Sequence, residues 1–216
     1  MTENTTTSKP SITDTLCQII SGIAHPLIVP SVCTVALLWG PTPWHILPAG
    51  SKWLILTTVA LGTYIIPISC IPIFMIIGLV KSIRMHSRAE RRWPLIAAAG
   101  TSLCAYITAS RLGFPLIITT FLLANTILTI MAIGINGFWK ISLHMTGMGG
   151  MAALMLTLGL FTASETAISL PATFVVAGLV GSARLQLGAH TPAQVWTGFA
   201  MGFAVTAFLI FARMLW

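Results

Sequence analysis

The sequence predicts an all-α fold, a polytopic transmembrane helix bundle of about seven spans, on the strength of three observations. Hydrophobic residues make up 56% of the 216-residue chain, charged residues only 7%, and mean hydropathy is +0.93. A soluble domain carries about 25% charged residues, so this chain cannot build a water-facing surface. Its apolar residues also fall into runs near the roughly 20 residues that a membrane-crossing helix requires, with polar punctuation between them.

Residues 1–15 are expected to be a disordered tail, rich in Thr and Ser as far as Ser11. The tail lacks the basic start and small-residue cleavage site of a signal peptide, so the first apolar run stays as a span. Residues 16–216 then form a single transmembrane helical domain. The predicted spans are Leu16–Trp39, Trp53–Val80, Pro94–Ala109, Pro115–Ile135, Ile141–Thr162, Leu170–Leu187 and Pro192–Leu215. The third is short and joins the fourth through Ser110-Arg111-Leu112-Gly113-Phe114-Pro115, a Gly/Pro turn; six spans result if that pair is re-entrant. Pro26, Pro30, Pro67 and Pro72 lie inside the first two runs, where they kink a helix whose freed carbonyls neighbours can satisfy. Gly147, Gly149 and Gly150, and the Gly198-xxx-Gly202 spacing, predict close helix packing first and a homo-oligomer second.

Net charge is +7 and the pI is near 9.8. The aromatic–basic interleaving of a nucleic-acid surface is absent, which leaves cytoplasmic loops, anionic headgroups or an anionic substrate as the meaning of that charge. Cys17, Cys33, Cys70 and Cys104 sit in or beside apolar runs without a CxxC pair or zinc spacing, and read as small apolar fillers.

The charges are gathered rather than scattered. Lys81, Arg84, Arg88, Glu90, Arg91 and Arg92 follow the second span; Lys140 and His144 open the fifth; Arg184 ends the sixth and His190 precedes the seventh. Counting spans returns the chain to the same membrane face at each cluster. The positive-inside rule accounts for the 81–92 loop as well as any site does. It accounts less well for Arg184, which follows the apolar run from Phe174 to Val180 at the membrane boundary, where an arginine is costly unless it snorkels or functions. Lys140 and His144 are four apart and share a helical face, as do His190 and Gln194. Thr191-Pro192 reads as a helix start, so His190 lies beside free N–H groups that favour an anion.

This constellation resembles the type 2 phosphatidic acid phosphatase (PAP2) superfamily, in a divergent bacterial branch. The third family segment, Ser-Arg-x5-His-x3-Asp, is matched by Ser182-Ala183-Arg184, then His190 and Gln194; the second by Ile141-Ser142-Leu143-His144; the first, loosely, by Arg84 and Arg91 with Pro94. His25-Pro26-Leu27 adds to the likeness. The resemblance implies a core of that family's kind within the bundle, in a bacterial inner (cytoplasmic) membrane. It implies His190 as nucleophile and His144 as general acid, with Gln194 in the place of the orienting Asp. Arg184, Arg84, Arg88 and Arg91, with Lys140 and Ser142, would hold the phosphoryl oxygens, and no metal or other cofactor is required. Phosphoryl transfer is mainly positioning and charge neutralisation, which suits forked arginines. Gln194 can accept the ring N–H through its carbonyl but brings no charge, so the imidazole should be less basic than with Asp.

The implied function is an integral membrane phosphatase hydrolysing a lipid phosphate or isoprenyl pyrophosphate through a phosphohistidine. The alternative is a catalytically weak relative that binds a lipid phosphate as carrier, sensor or scaffold. A prenyltransferase or alcohol phosphotransferase needs several aspartates to hold magnesium, and Asp14 is the one Asp in the chain. Basic loops argue that the site faces the cytoplasm; the resemblance argues for the outer side.

Overall fold

The computed structural model describes residues 11–81, 88–162 and 166–215. Among them every regular element is helical: α1 Ile12–Ile23, α2 Val29–Trp39, α3 Ala49–Ile76, α4 Arg88–Arg111, α5 Leu116–Asn136, α6 Leu143–Phe161, α7 Ser169–Gln186 and α8 Pro192–Leu215, with a short 3-10 turn at Pro43–Ile46. Four of these, α3, α5, α6 and α8, are long and apolar enough to cross a membrane. α4 has 24 residues and α7 has 18, each long enough at ~1.5 Å per residue to reach across most of a bilayer core, but less apolar.

Three expectations change here. The first apolar run is broken: α1 has 12 residues and α2 has 11, separated at Ala24–Ile28. Pro26 lacks an N–H and disfavours helical conformation in the residue before it, and here the helix stops at Ile23 rather than kinking through. Pro30, by contrast, sits in the first turn of α2, where its missing N–H is not needed. α1 also begins inside the segment expected to be tail. Ser11 and Asp14 form a reciprocal capping box, with Asp14 N–H donating to Ser11 Oγ at 3.1 Å and Ser11 N–H donating to Asp14 Oδ2 at 3.3 Å. Residues 1–10 lie outside the described residues. The third and fourth runs are two long helices, α4 and α5, rather than a short re-entrant pair. They turn at Gly113, whose φ of 68° is available to glycine without strain.

α3 stays continuous through Pro67 by widening. Leu61–Ile65 is a π-helical turn, and the N–H of Ile66 reaches back five residues to the Leu61 carbonyl. Polar groups glue α4 to α5: Ser102 Oγ accepts from Asn125 Nδ2 at 2.9 Å and from Thr126 Oγ1 at 3.0 Å.

α6 and α8 form the closest pair, because glycine lets their backbones touch. A Cβ on Gly198 would lie 2.6 Å from the Ser142 carbonyl oxygen, and one on Gly202 would collide with the Thr146 carbonyl. In return, a Cβ on Gly149 would strike the Phe199 carbonyl and sit 2.8 Å from the Phe203 nitrogen. The Gly198-xxx-Gly202 face is therefore consumed within the chain. Large apolar side chains such as Val175, Leu179, Trp196 and Phe208 point outward from α7 and α8, as a lipid-facing surface allows. The cysteines are all free thiols, Cys17 and Cys33 buried in the packing.

This packing yields a test. Gly202→Ala is expected to destabilise the detergent-solubilised protein by about 1–3 kcal/mol, the usual penalty for forcing extra volume between packed helices. Gly100→Ala, where a Cβ meets nothing within 4 Å, is expected to be neutral or slightly stabilising. Equal thermal midpoints for the two variants would contradict the packing described.

Candidate functional site

The beginnings of α4 and α6, the ends of α3, α5 and α7, the residues leading into α8 and the break between α1 and α2 line a half-open cavity of about 1070 Å³. Arg91, Lys140, His144, Arg184 and His190 all line it. The clusters that span counting places on one membrane face thus meet in one space. No Asp or Glu is among its described lining residues, although two arginines and a lysine are.

Arg184 and His190 are set by the end of α7. Gly188 takes a φ of 59°, its N–H donates to the Leu185 carbonyl, and the Ala189 N–H donates to the Arg184 carbonyl at 3.1 Å. This is a Schellman closure, and it needs glycine where the chain turns left-handed. Arg184 stays on the last helical turn while His190 is carried back over the same cavity. Arg184 Nε is buried and has no hydrogen-bond partner among the described residues. A buried guanidinium N–H calls for an oxygen acceptor, whether of water, an ion or a ligand.

His190 is held by the start of α8. Thr191 and Gln194 form a second capping box: Gln194 N–H donates to Thr191 Oγ1 at 3.4 Å, and Thr191 N–H donates to Gln194 Oε1 at 3.2 Å. Because that backbone N–H can only donate, the contacting atom of Gln194 must be its oxygen. The same oxygen lies 3.1 Å from His190 Nδ1, so Nδ1 carries the ring proton and donates to it. The Lys140 carbonyl, 3.3 Å away, accepts from Nδ1 as well. Nε2 is left with its lone pair. Burial pushes the His190 imidazole down to about 4; the Gln194 bond opposes the shift, while the charges of Arg184 and Lys140 add to it. The ring is neutral at pH 7. Lys140 is itself lowered from its ordinary value, first by burial and then by the charges of Arg91 and Arg184. Mutual repulsion of this kind is relieved by an anion placed between the three.

His144 donates from Nε2 to the backbone carbonyl of Ser21 at 3.1 Å, so α1 orients it and Nδ1 is its free nitrogen. Other expected residues are placed differently. Ser142 does not line the cavity: it is fully buried, its hydroxyl has no partner, and its N–H donates to the Gln194 carbonyl at 3.4 Å. Its backbone ties α6 to α8 at their crossing. Gln194 stands behind His190 rather than on the wall. Arg84 and the side chain of Arg88 lie outside the described residues. His25, quoted above only for its likeness, shares the cavity wall with Gln18 and Asn136. The signal for His25 was its position before a proline inside an apolar run. Although His25, His144 and His190 line one cavity, no group of His, Cys, Asp or Glu among the described residues is arranged to hold a metal ion.

Compared with protein-family models, with curated proteins and with solved structures, the chain has no match.

The His190 geometry can be checked by its titration. In histidine-labelled protein, nitrogen NMR is expected to follow His190 from imidazole to imidazolium near pH 4. Gln194→Glu keeps the capping box and puts a carboxylate against Nδ1, which favours the charged ring and should raise that midpoint by about 1 unit or more. A His190 midpoint near 6.5 in the unsubstituted protein would contradict the burial and the neutral tautomer.

Proposed function

We propose that the protein is a membrane phosphatase that hydrolyses a lipid phosphate or pyrophosphate through a phosphohistidine on His190, as the sequence resemblance implies, in a bacterial inner membrane. The observation behind this reading is the cationic wall of the cavity: Arg91, Lys140 and Arg184 without a carboxylate on the described lining, beside a histidine whose Nε2 lone pair is free. Arg184 brings a buried Nε with no protein partner among the described residues to this wall, and a phosphoryl oxygen would supply its acceptor and part of its counter-charge. The apolar part of the wall, including Ile68, Ile71 and Leu187, gives a lipid chain somewhere to lie.

In the first step His190 Nε2 attacks phosphorus, a P–N bond forms and the P–O bond to the lipid alcohol breaks. The leaving oxygen takes a proton from His144, which must enter as the imidazolium with the transferred proton on Nδ1, since Nε2–H is engaged by Ser21. In the second step His144, now neutral, removes a proton from water as it attacks phosphorus. The P–N bond breaks, inorganic phosphate leaves and Nε2 recovers its lone pair. Arg184, Lys140 and Arg91 neutralise the three equatorial oxygens throughout, which is the main catalytic demand of phosphoryl transfer.

A second reading, a lipid-phosphate binder without turnover, is favoured by one observation: the partner of His190 Nδ1 is the uncharged Gln194. An amide stabilises the positive charge of a phosphohistidine less than a carboxylate would. The two readings separate in one assay. Detergent-solubilised protein in EDTA is expected to release phosphate from phosphatidic acid or an isoprenyl pyrophosphate, and His190→Ala to lower the rate by at least about 10³-fold. Equal release by both proteins would defeat the enzyme reading. Binding that needs Arg184, with no release, would favour the binder.

A further inference from the structure

The break between α1 and α2 falls in the middle of an apolar run. Non-helical backbone at membrane depth is tolerated only where protein buries it or where it lines a cavity. Here it lines the site: His25, Pro26 and Leu27 all contribute to the wall that holds Arg184 and His190. Pro26 explains why the helix stops. It does not explain why a polar, half-buried ring stands at the stop.

That ring has a defined tautomer. The Leu27 N–H donates to His25 Nδ1 at 3.4 Å, so Nδ1 is an acceptor and the ring proton resides on Nε2. The ring stands edge-on to His144, with centroids 5.8 Å apart and planes at 77°. His144 has its own N–H committed to Ser21. His25 therefore brings the cavity a histidine N–H that no hydrogen bond to a described residue occupies. A neutral donor has an advantage at this place, because it binds a phosphoryl oxygen without adding to positive charges that already repel.

We propose that His25 is a further anion-binding residue, its Nε2–H donating to an oxygen of the same phosphate held by Arg184 and Lys140, and that the break in the first apolar run exists to present it. This rests on the reading of the cavity as a phosphate site, but not on turnover. The ligand chemistry is a phosphate monoester or phosphate ion, whether on a lipid or free.

The test measures binding of inorganic phosphate and, separately, of short-chain phosphatidic acid to the full chain in detergent, for wild type and for His25→Ala, His25→Asn and His25→Gln. Glutamine places an amide N–H near the Nε2 position, whereas asparagine reaches only the Nδ1 position. The expected result is an affinity loss of about 10-fold or more for Ala and Asn with both ligands, as for a lost hydrogen bond to a charged group, and a loss within about threefold for Gln. Rescue by Gln also separates loss of the donor from loss of the fold. Unchanged affinity in His25→Ala, equal behaviour of Asn and Gln, or weakening confined to phosphatidic acid would each overturn the proposal. Wild-type binding that depends on His25 without any phosphate release would uphold it and remove the phosphatase reading instead. Wild-type binding of neither ligand would remove both.

Discussion

Backbone contact between α6 and α8 is the constraint from which the site follows. Gly149, Gly198 and Gly202 leave no room for a Cβ, so the two helices meet main chain to main chain near their beginnings. That proximity lets the Ser142 N–H donate to the Gln194 carbonyl and brings the Lys140 carbonyl within 3.3 Å of His190 Nδ1. The first turn of α6 and the residues leading into α8 thus become one surface. Gln194 has three jobs on it: its side-chain oxygen caps α8, the same oxygen fixes the His190 tautomer, and its backbone carbonyl ties α6 in place. A side chain tied down this way orients the imidazole without bringing a charge to it.

Electrostatics then gives the surface its meaning. Helix ends and a helix break deliver Arg91, Lys140, Arg184 and three histidines to one cavity in an otherwise apolar bundle. Arg184 Nε is buried without a partner among the described residues, and Lys140 holds its proton less tightly, first because it is partly buried and then because of the charges of Arg91 and Arg184. An anion between them would relieve both, as the proposed phosphoryl group does. The neutral state of His190 fits this setting, because an imidazolium beside Arg184 and Lys140 would add to the repulsion, while a lone pair on Nε2 adds none.

Much of this was legible in the sequence, for reasons that differ by residue. The apolar runs from residue 115 onward became helices with nearly the expected limits, because a run of about 20 apolar residues has few other folded forms. The meeting of Lys140, His144, Arg184 and His190 needed only the parity of the spans. Gly188 declared its turn because a left-handed residue after a helix is commonly glycine. The break at His25-Pro26 was harder, since proline inside an apolar run can either kink a helix or end one, and neighbouring packing decides. Ser142 was harder for a related reason: two residues from a histidine in sequence, it lies where α6 is pressed against α8 rather than on the cavity wall. The capping role of Gln194 was available from the Thr-x-x-Gln spacing, and its three-way use depended on the contact with α6 that sequence does not display.

The central claim is that this cavity holds a phosphoryl group against Arg184 and Lys140, with His190 Nε2 in line. Its most direct test is an experimental structure of the protein with orthovanadate, a mimic of the pentacoordinate transition state. The account requires vanadium bonded to His190 Nε2, with the Arg184 guanidinium and Lys140 Nζ on its oxygens. Vanadate bound elsewhere, or a cavity with no anion at saturating vanadate, would contradict it.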